Sequence, residues 1–135
     1  MRAGVQVVAL RNFSPAATTT CWTTWLLLGQ QQAAEARFHQ ELAAVLGGRA
    51  PAAEDLKALG YTGQVVQESM RMYPPSFGQR RCLGAGFATA EMITVLAVAG
   101  QRVRLRPASA EPVTIIPAVT QRPDGGLPML VEVRS

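Results

Sequence analysis

The residues with the most chemistry in this sequence stand together in Gly78-Gln79-Arg80-Arg81-Cys82-Leu83-Gly84-Ala85-Gly86-Phe87-Ala88. Cys82 lies where a glycine loop turns into an apolar helix. The free amides and dipole of a helix N-terminus favour a thiolate there, and Arg80 and Arg81 push the same way. A thiolate is the soft, electron-donating form that binds iron. Gly78, Gly84 and Gly86 remove side-chain bulk around the sulfur, so a large flat ligand would approach the backbone closely. Arg80 would meet an acidic group on that ligand through charge-assisted hydrogen bonds. The loop asks for an anionic, planar metal cofactor. A cysteine taken alone is more often an inert packed residue, so it is the surroundings of Cys82 that point to ligation. Cys21, beside Trp22, reads as ordinary packing. A Cys21–Cys82 disulfide, which would cancel the metal reading, is left open by spacing.

The elements that must position this loop are mainly helices. Residues Val5 to Leu28 suggest one helical region, broken near Asn12–Ser14 because Pro15 lacks an amide hydrogen and crowds the preceding turn. From Ala33, Phe38, Leu42, Val45 and Leu46 recur at helical spacing, with Arg37 and Glu41 paired at i,i+4 on another face. Gly47-Gly48 ends that helix. A short helix is expected over Ala53 to Leu59, and a third full one over about Gln64 to Tyr73, stopped by Pro74-Pro75. Leu83 to Val98 is apolar almost all round, which predicts burial on most sides. The only histidine, His39, falls in a charged amphipathic helix and is expected at the surface rather than as a ligand. Beyond residue 101 the period changes to two, in Arg102 to Arg106 and again in Leu130 to Arg134. Prolines and Asp124-Gly125-Gly126 mark turns between short strands. The expected fold class is mainly α with a small C-terminal β-region.

Composition bounds the rest. At 135 residues the chain is one domain or a piece of a larger one. Val, Ile, Leu and Phe total 33, enough to escape disorder, although 21 alanines thin the core. The net charge of +4 comes almost wholly from 12 arginines, which are scattered with few aromatics between them. No nucleic-acid motif is present. Two cysteines are too few for a secreted disulfide scaffold. Gln6 and Arg11 interrupt the first apolar run, and the uncharged stretch Asn12–Ala34 is too rich in Thr and Gln to span a membrane. The chain reads as soluble and cytoplasmic.

The cysteine loop resembles the haem-binding region of the cytochrome P-450 family, the haem-thiolate monooxygenases. Gly78, Arg80, Cys82, Gly84, Phe87, Ala88 and Glu91 stand at the family's offsets. Upstream, Glu68-x-x-Arg71 followed by Tyr73-Pro74-Pro75 resembles the family's Glu-x-x-Arg helix, and Gly125-Gly126-Leu127-Pro128 its C-terminal strand region. By itself an i,i+3 charge pair would be a solvated surface pair; its place ahead of the loop gives it weight. The resemblance implies one partial domain, with the crossover and Glu-x-x-Arg helices in 1–73, the Cys loop and haem-facing helix in 74–100, and the β-region in 101–135. It implies haem b held by Cys82, with Gly78, Arg80 and Gly84 around the cofactor and Glu68 and Arg71 bracing the core behind it. The reaction implied is that of an oxidoreductase inserting one oxygen atom of O2 into a small organic substrate. Electrons would come from NAD(P)H through a ferredoxin or reductase.

Three departures qualify that expectation. The family is several times longer, which predicts a truncated chain. Pro74-Pro75-Ser76 runs almost directly into the Cys loop, where the family places several dozen residues, which predicts an internal deletion. Phe77 correspondingly lies five residues before Cys82 instead of seven. On the crossover helix, aligning Thr24-Trp25 with the family places Thr18 at the catalytic alcohol but Ala17 at the acid beside it, with Ser14-Pro15 replacing the small-residue–Gly pair. Thr18 is otherwise one more polar residue in a threonine-rich helix. A positioned proton donor is worth about 10²–10⁴-fold, so oxygen activation is expected to be impaired. The alternative expectation is a haem-binding remnant, or a helical protein without monooxygenase turnover.

Overall fold

A computed structural model describes residues 15–75, 84–116 and 121–134. Four helices carry the core: α1 (Pro15–Gln30), α2 (Gln32–Leu46), α3 (Gly60–Met72) and α4 (Ala85–Arg102), with a short 3₁₀ helix at Ala53–Lys57. Strands β1 (Val103–Pro107) and β4 (Met129–Val133) pair antiparallel with Leu105 opposite Val131. Between them in sequence, β2 (Ile115–Ile116) pairs with β3 (Arg122–Pro123). The mainly helical class with a small β-region is what the sequence predicts. The break expected near Asn12–Ser14 lies outside the described residues.

The helical stripe of α2 forms as its spacing requires. Phe38, Leu42 and Leu46 are buried, and Gly47 closes the helix with φ of 57°, its amide donating to the Ala43 carbonyl. These residues meet Trp25 and Leu28 of α1, Val66 of α3, and Met92, Leu96 and Ala97 of α4 in one cluster. Two glycines set the closest approaches. A Cβ on Gly100 would lie 2.6 Å from the Phe38 ring, and one on Gly29 would lie 2.7 Å from Pro107 Cδ. The missing side chains let α4 seat the Phe38 ring and let β1 lie against α1.

Several boundaries differ from the sequence reading. The segment Ala53–Leu59 is a 3₁₀ helix ending at Lys57, pinned by Asp55, which accepts from the Ala52 amide at 2.8 Å and from both terminal nitrogens of Arg49 at 2.6 Å. The guanidinium, and then that amide, lower the Asp55 carboxyl to about 2. The helix expected from Gln64 begins at Gly60, because its start is capped from another element. Glu41 of α2 accepts from the Tyr61 and Thr62 amides and from the Thr62 hydroxyl, each at 2.7 Å. Its expected partner Arg37 lies instead over the Tyr61 ring, 4.4 Å from the centroid. Glu41→Ala leaves those helix-end donors unpaired, Thr62 being wholly buried, and should cost about 2–3 kcal/mol. A urea-unfolding series checks it, with Glu41→Gln recovering part of the loss.

The surface position expected for His39 is overturned: the residue is buried, 5.1 Å from the Phe38 ring and 3.9 Å from the buried Glu35 carboxylate. The last apolar helix runs to Arg102, and burial on most sides holds only for its second half. Met92, Ile93, Leu96, Ala97 and Gly100 are buried, whereas Ala85, Gly86 and Phe87 stand exposed. Among the described residues, no helix is long and apolar enough to cross a membrane.

Candidate functional site

The chemistry expected of the sequence converges on the start of α4. Gly84 is its N-cap, and the Ala88 amide donates back to the Gly84 carbonyl at 2.9 Å. No acidic residue occupies the first turn, so the amide dipoles there stay available to an electron-rich group. Phe87 is 77% exposed and a Cβ on Gly86 would meet nothing within 4 Å. The chain's own packing therefore does not require glycine at 86. An apolar surface of Ala85, Gly86 and Phe87 next to the cysteine loop is left uncovered. Gly78, Arg80 and Cys82 lie outside the described residues.

Behind it, α1 is lined with buried hydroxyls. Thr24 donates to the Thr20 carbonyl at 2.6 Å, and Thr19 to the Gln121 carbonyl at 2.7 Å. Thr23 and Ser69 share a hydrogen bond of 2.6 Å, tying α1 to α3. Such back-bonding satisfies hydroxyls that would otherwise be orphaned in a core helix; the Thr20 hydroxyl is the buried exception. Thr18 sits in the same helix, its side chain outside the described residues. Glu68 and Arg71 do come together: the Arg71 Nε and Nη2 donate to the two Glu68 oxygens at 2.8 and 2.7 Å. Each is stabilised in its charged form by the other. Both are exposed, on the last turns of α3.

Cys21 is a free, buried thiol, and burial, with Glu91 nearby, pushes it up to about 12. It is an inert packed residue, as its surroundings in sequence suggest. Among the described residues no cluster of three His, Cys, Asp or Glu side chains has the arrangement to hold a metal ion. An open groove of about 670 Å³ lies elsewhere, between the end of α1 and the segments 107–114 and 124–128. It contains none of the expected site residues. What sequence reasoning missed is a buried ionic layer, Glu35 and His39 of α2 against Arg104 and Arg106 of β1. The i,i+4 spacing and the alternating arginines were its visible signal.

Helices packed on a small sheet, with an uncovered apolar helix start at α4, define the fold. A solved cytochrome P-450 structure superposes with a TM-score of 0.77 over 89% of this chain and 43% of that one, at 15% identity, which shows the same fold. Residues 13–77 match the family described as cytochrome P-450. The chain is 40% identical over 73 residues to cyclooctatin synthase of Streptomyces melanosporofaciens, a match covering 54% of this chain and 16% of that protein. It is 46% identical over 59 residues to cyclooctat-9-en-7-ol 5-monooxygenase of the same organism, covering 44% and 13%. The family match, these relatives and the shared fold support a cytochrome P-450 fragment, whose matches span about a sixth or less of those relatives' length.

The cytochrome P-450 family implies a haem cofactor, and the described first turn of α4 leaves room for a large flat group. The start of α4 is apolar and uncovered, and Gly86 faces open space.

Proposed function

We propose that the protein binds haem b through the Cys82 thiolate and, as part of a cytochrome P-450, serves insertion of one oxygen atom of O2 into an organic substrate. The observation that carries this reading is the uncovered start of α4, with Gly86 open and Phe87 exposed beside the cysteine loop. Gly78 and Gly84 would let the flat group lie close to the backbone, and Arg80 would pair with an acidic edge of it. Bound haem would supply the reductive activation of O2, with electrons from NAD(P)H through a ferredoxin or reductase. Thr18 would offer its hydroxyl proton from α1. Glu68 and Arg71 would brace α3 behind the group through their paired hydrogen bonds. The substrate would be of the ring-containing, hydrocarbon-rich kind named for one relative, cyclooctat-9-en-7-ol. The setting would be cytoplasmic.

Ala17, standing where the family places an acid, favours a second reading: haem binding without turnover. Haem titration into the full chain, followed by NAD(P)H consumption with ferredoxin, reductase and cyclooctat-9-en-7-ol, separates the two. Saturable uptake of one haem per chain with substrate-dependent consumption supports oxygenation. Uptake without consumption selects the second reading, and absence of uptake overturns both.

A further inference from the structure

The ionic layer between α2 and the β1–β4 sheet lies away from the haem-facing surface and has chemistry of its own. Alternation along β1 puts Arg104 and Arg106 on one face of the strand, against α2. Glu35, buried, accepts from Arg106 Nη2 at 2.9 Å and lies 3.3 Å from Arg104 Nε. Arg106 also reaches the Gly29 carbonyl at 3.4 Å and stands 3.9 Å from Glu132 of β4. His39, one turn after Glu35, places Nε2 3.9 Å from Glu35 Oε1. Both ring nitrogens, Glu35 Oε1 and Arg104 Nε are buried without a hydrogen-bond partner. Arg134, just beyond β4, donates to the Gly100 carbonyl at 2.7 Å and closes the layer from the α4 side.

We propose that His39 is an acid-sensitive latch, and that protonating its ring releases the β1–β4 sheet from α2 while the helical core stays folded. A charged imidazolium here would lie out of water among three arginines, and the one carboxylate beside it is already shared by two of them. Glu35 on α2, Arg104 and Arg106 on β1, and Glu132 and Arg134 on and beyond β4 are the charged groups of this layer; α4 contributes the Gly100 carbonyl. Burial first, then Arg134 and Arg104 and, more weakly, Arg106, lower the ring from 6.5 to about 4, with the Gly100 carbonyl opposing. Above pH 6.5 the ring is neutral whether the sheet is docked or open. Between 6.5 and 4 only the open form takes the proton, so opening is favoured. Below 4 both forms are charged and the effect saturates, at about 300-fold for that pair of affinities.

Hydrogen exchange on the full chain from pH 7 to pH 4, corrected for intrinsic rates, tests this. Protection of residues 103–107 and 129–133 should fall by about 100-fold over that range while α3 amides near Val66 keep theirs, and His39→Gln should abolish the fall. Glu35→Gln, which keeps the ring and removes its carboxylate, should retain it. An equal fall in His39→Gln, or simultaneous release of sheet and α3, overturns the latch. Should His39→Gln fail to fold, the wild-type ring resonances decide: titration near pH 4 supports the latch and titration near 6.5 overturns it.

Discussion

Reduced under carbon monoxide, the haem-loaded protein should show a strongly red-shifted Soret band, and Cys82→Ser should abolish it. The shift reports electron donation from a thiolate, which a serine hydroxyl cannot supply. In sequence Cys82 precedes the Gly84 N-cap of α4 by two residues and follows Arg80 and Arg81, so dipole and charge would both favour the deprotonated sulfur. The competing ligand would be histidine, and the chain has one. His39 is 5% exposed and packed against Phe38, so it would not be available to a haem at the start of α4. A band at the position of histidine-bound haem would mean that iron is taken up without the thiolate, and would sink the assignment of Cys82.

Phe38→Ala is expected to destabilise the protein by about 3–5 kcal/mol, most of the stability of an ordinary domain. The ring is fully buried, edge-on to Trp25 at 6.0 Å and laid over Gly100 of α4. The space cannot readily collapse, because the Gly100 backbone is held by Arg134 through its carbonyl. Gly100→Ala attacks the same contact from the other side: its Cβ would come within 2.6–2.7 Å of the ring and 2.8 Å of Leu42 Cδ1. Overpacking of that kind costs about 1–3 kcal/mol. Since the two changes compete for one volume, the double mutant should lose less than the sum of the two. Urea midpoints for the four proteins of that cycle check both the size and the coupling. Strict additivity would show that the ring and Gly100 do not meet.

How much of this was legible in the sequence depends on whether the cause was local. The stripe of Phe38, Leu42 and Leu46 and the Gly47 cap follow from spacing and from one residue's backbone freedom, and both are where periodicity puts them. The alternating arginines of β1 likewise gave the strand. The start of α3 was misplaced because its cap is the side chain of Glu41, 20 residues upstream. His39 was misplaced because the face of α2 that bears it looks polar. That face is buried only when the arginines of β1, remote in sequence, come down on Glu35. The exposed first turn of α4 was read as core because an apolar helix does not say what covers it. The cysteine motif, whose chemistry is confined to a few consecutive residues, lies outside the described residues.

The cap that Glu41 lays on α3 also bears on the order in which the chain folds. The donors at the head of α3 have no acceptor from their own neighbourhood and find one only once α2 is formed and docked. During synthesis α2 emerges first, so the carboxylate is already in place when Tyr61 and Thr62 leave the ribosome. The pair would then let a finished helix act as template for the next. A circular permutant that makes α3 before α2 would have the same contacts at equilibrium and a slower route to them.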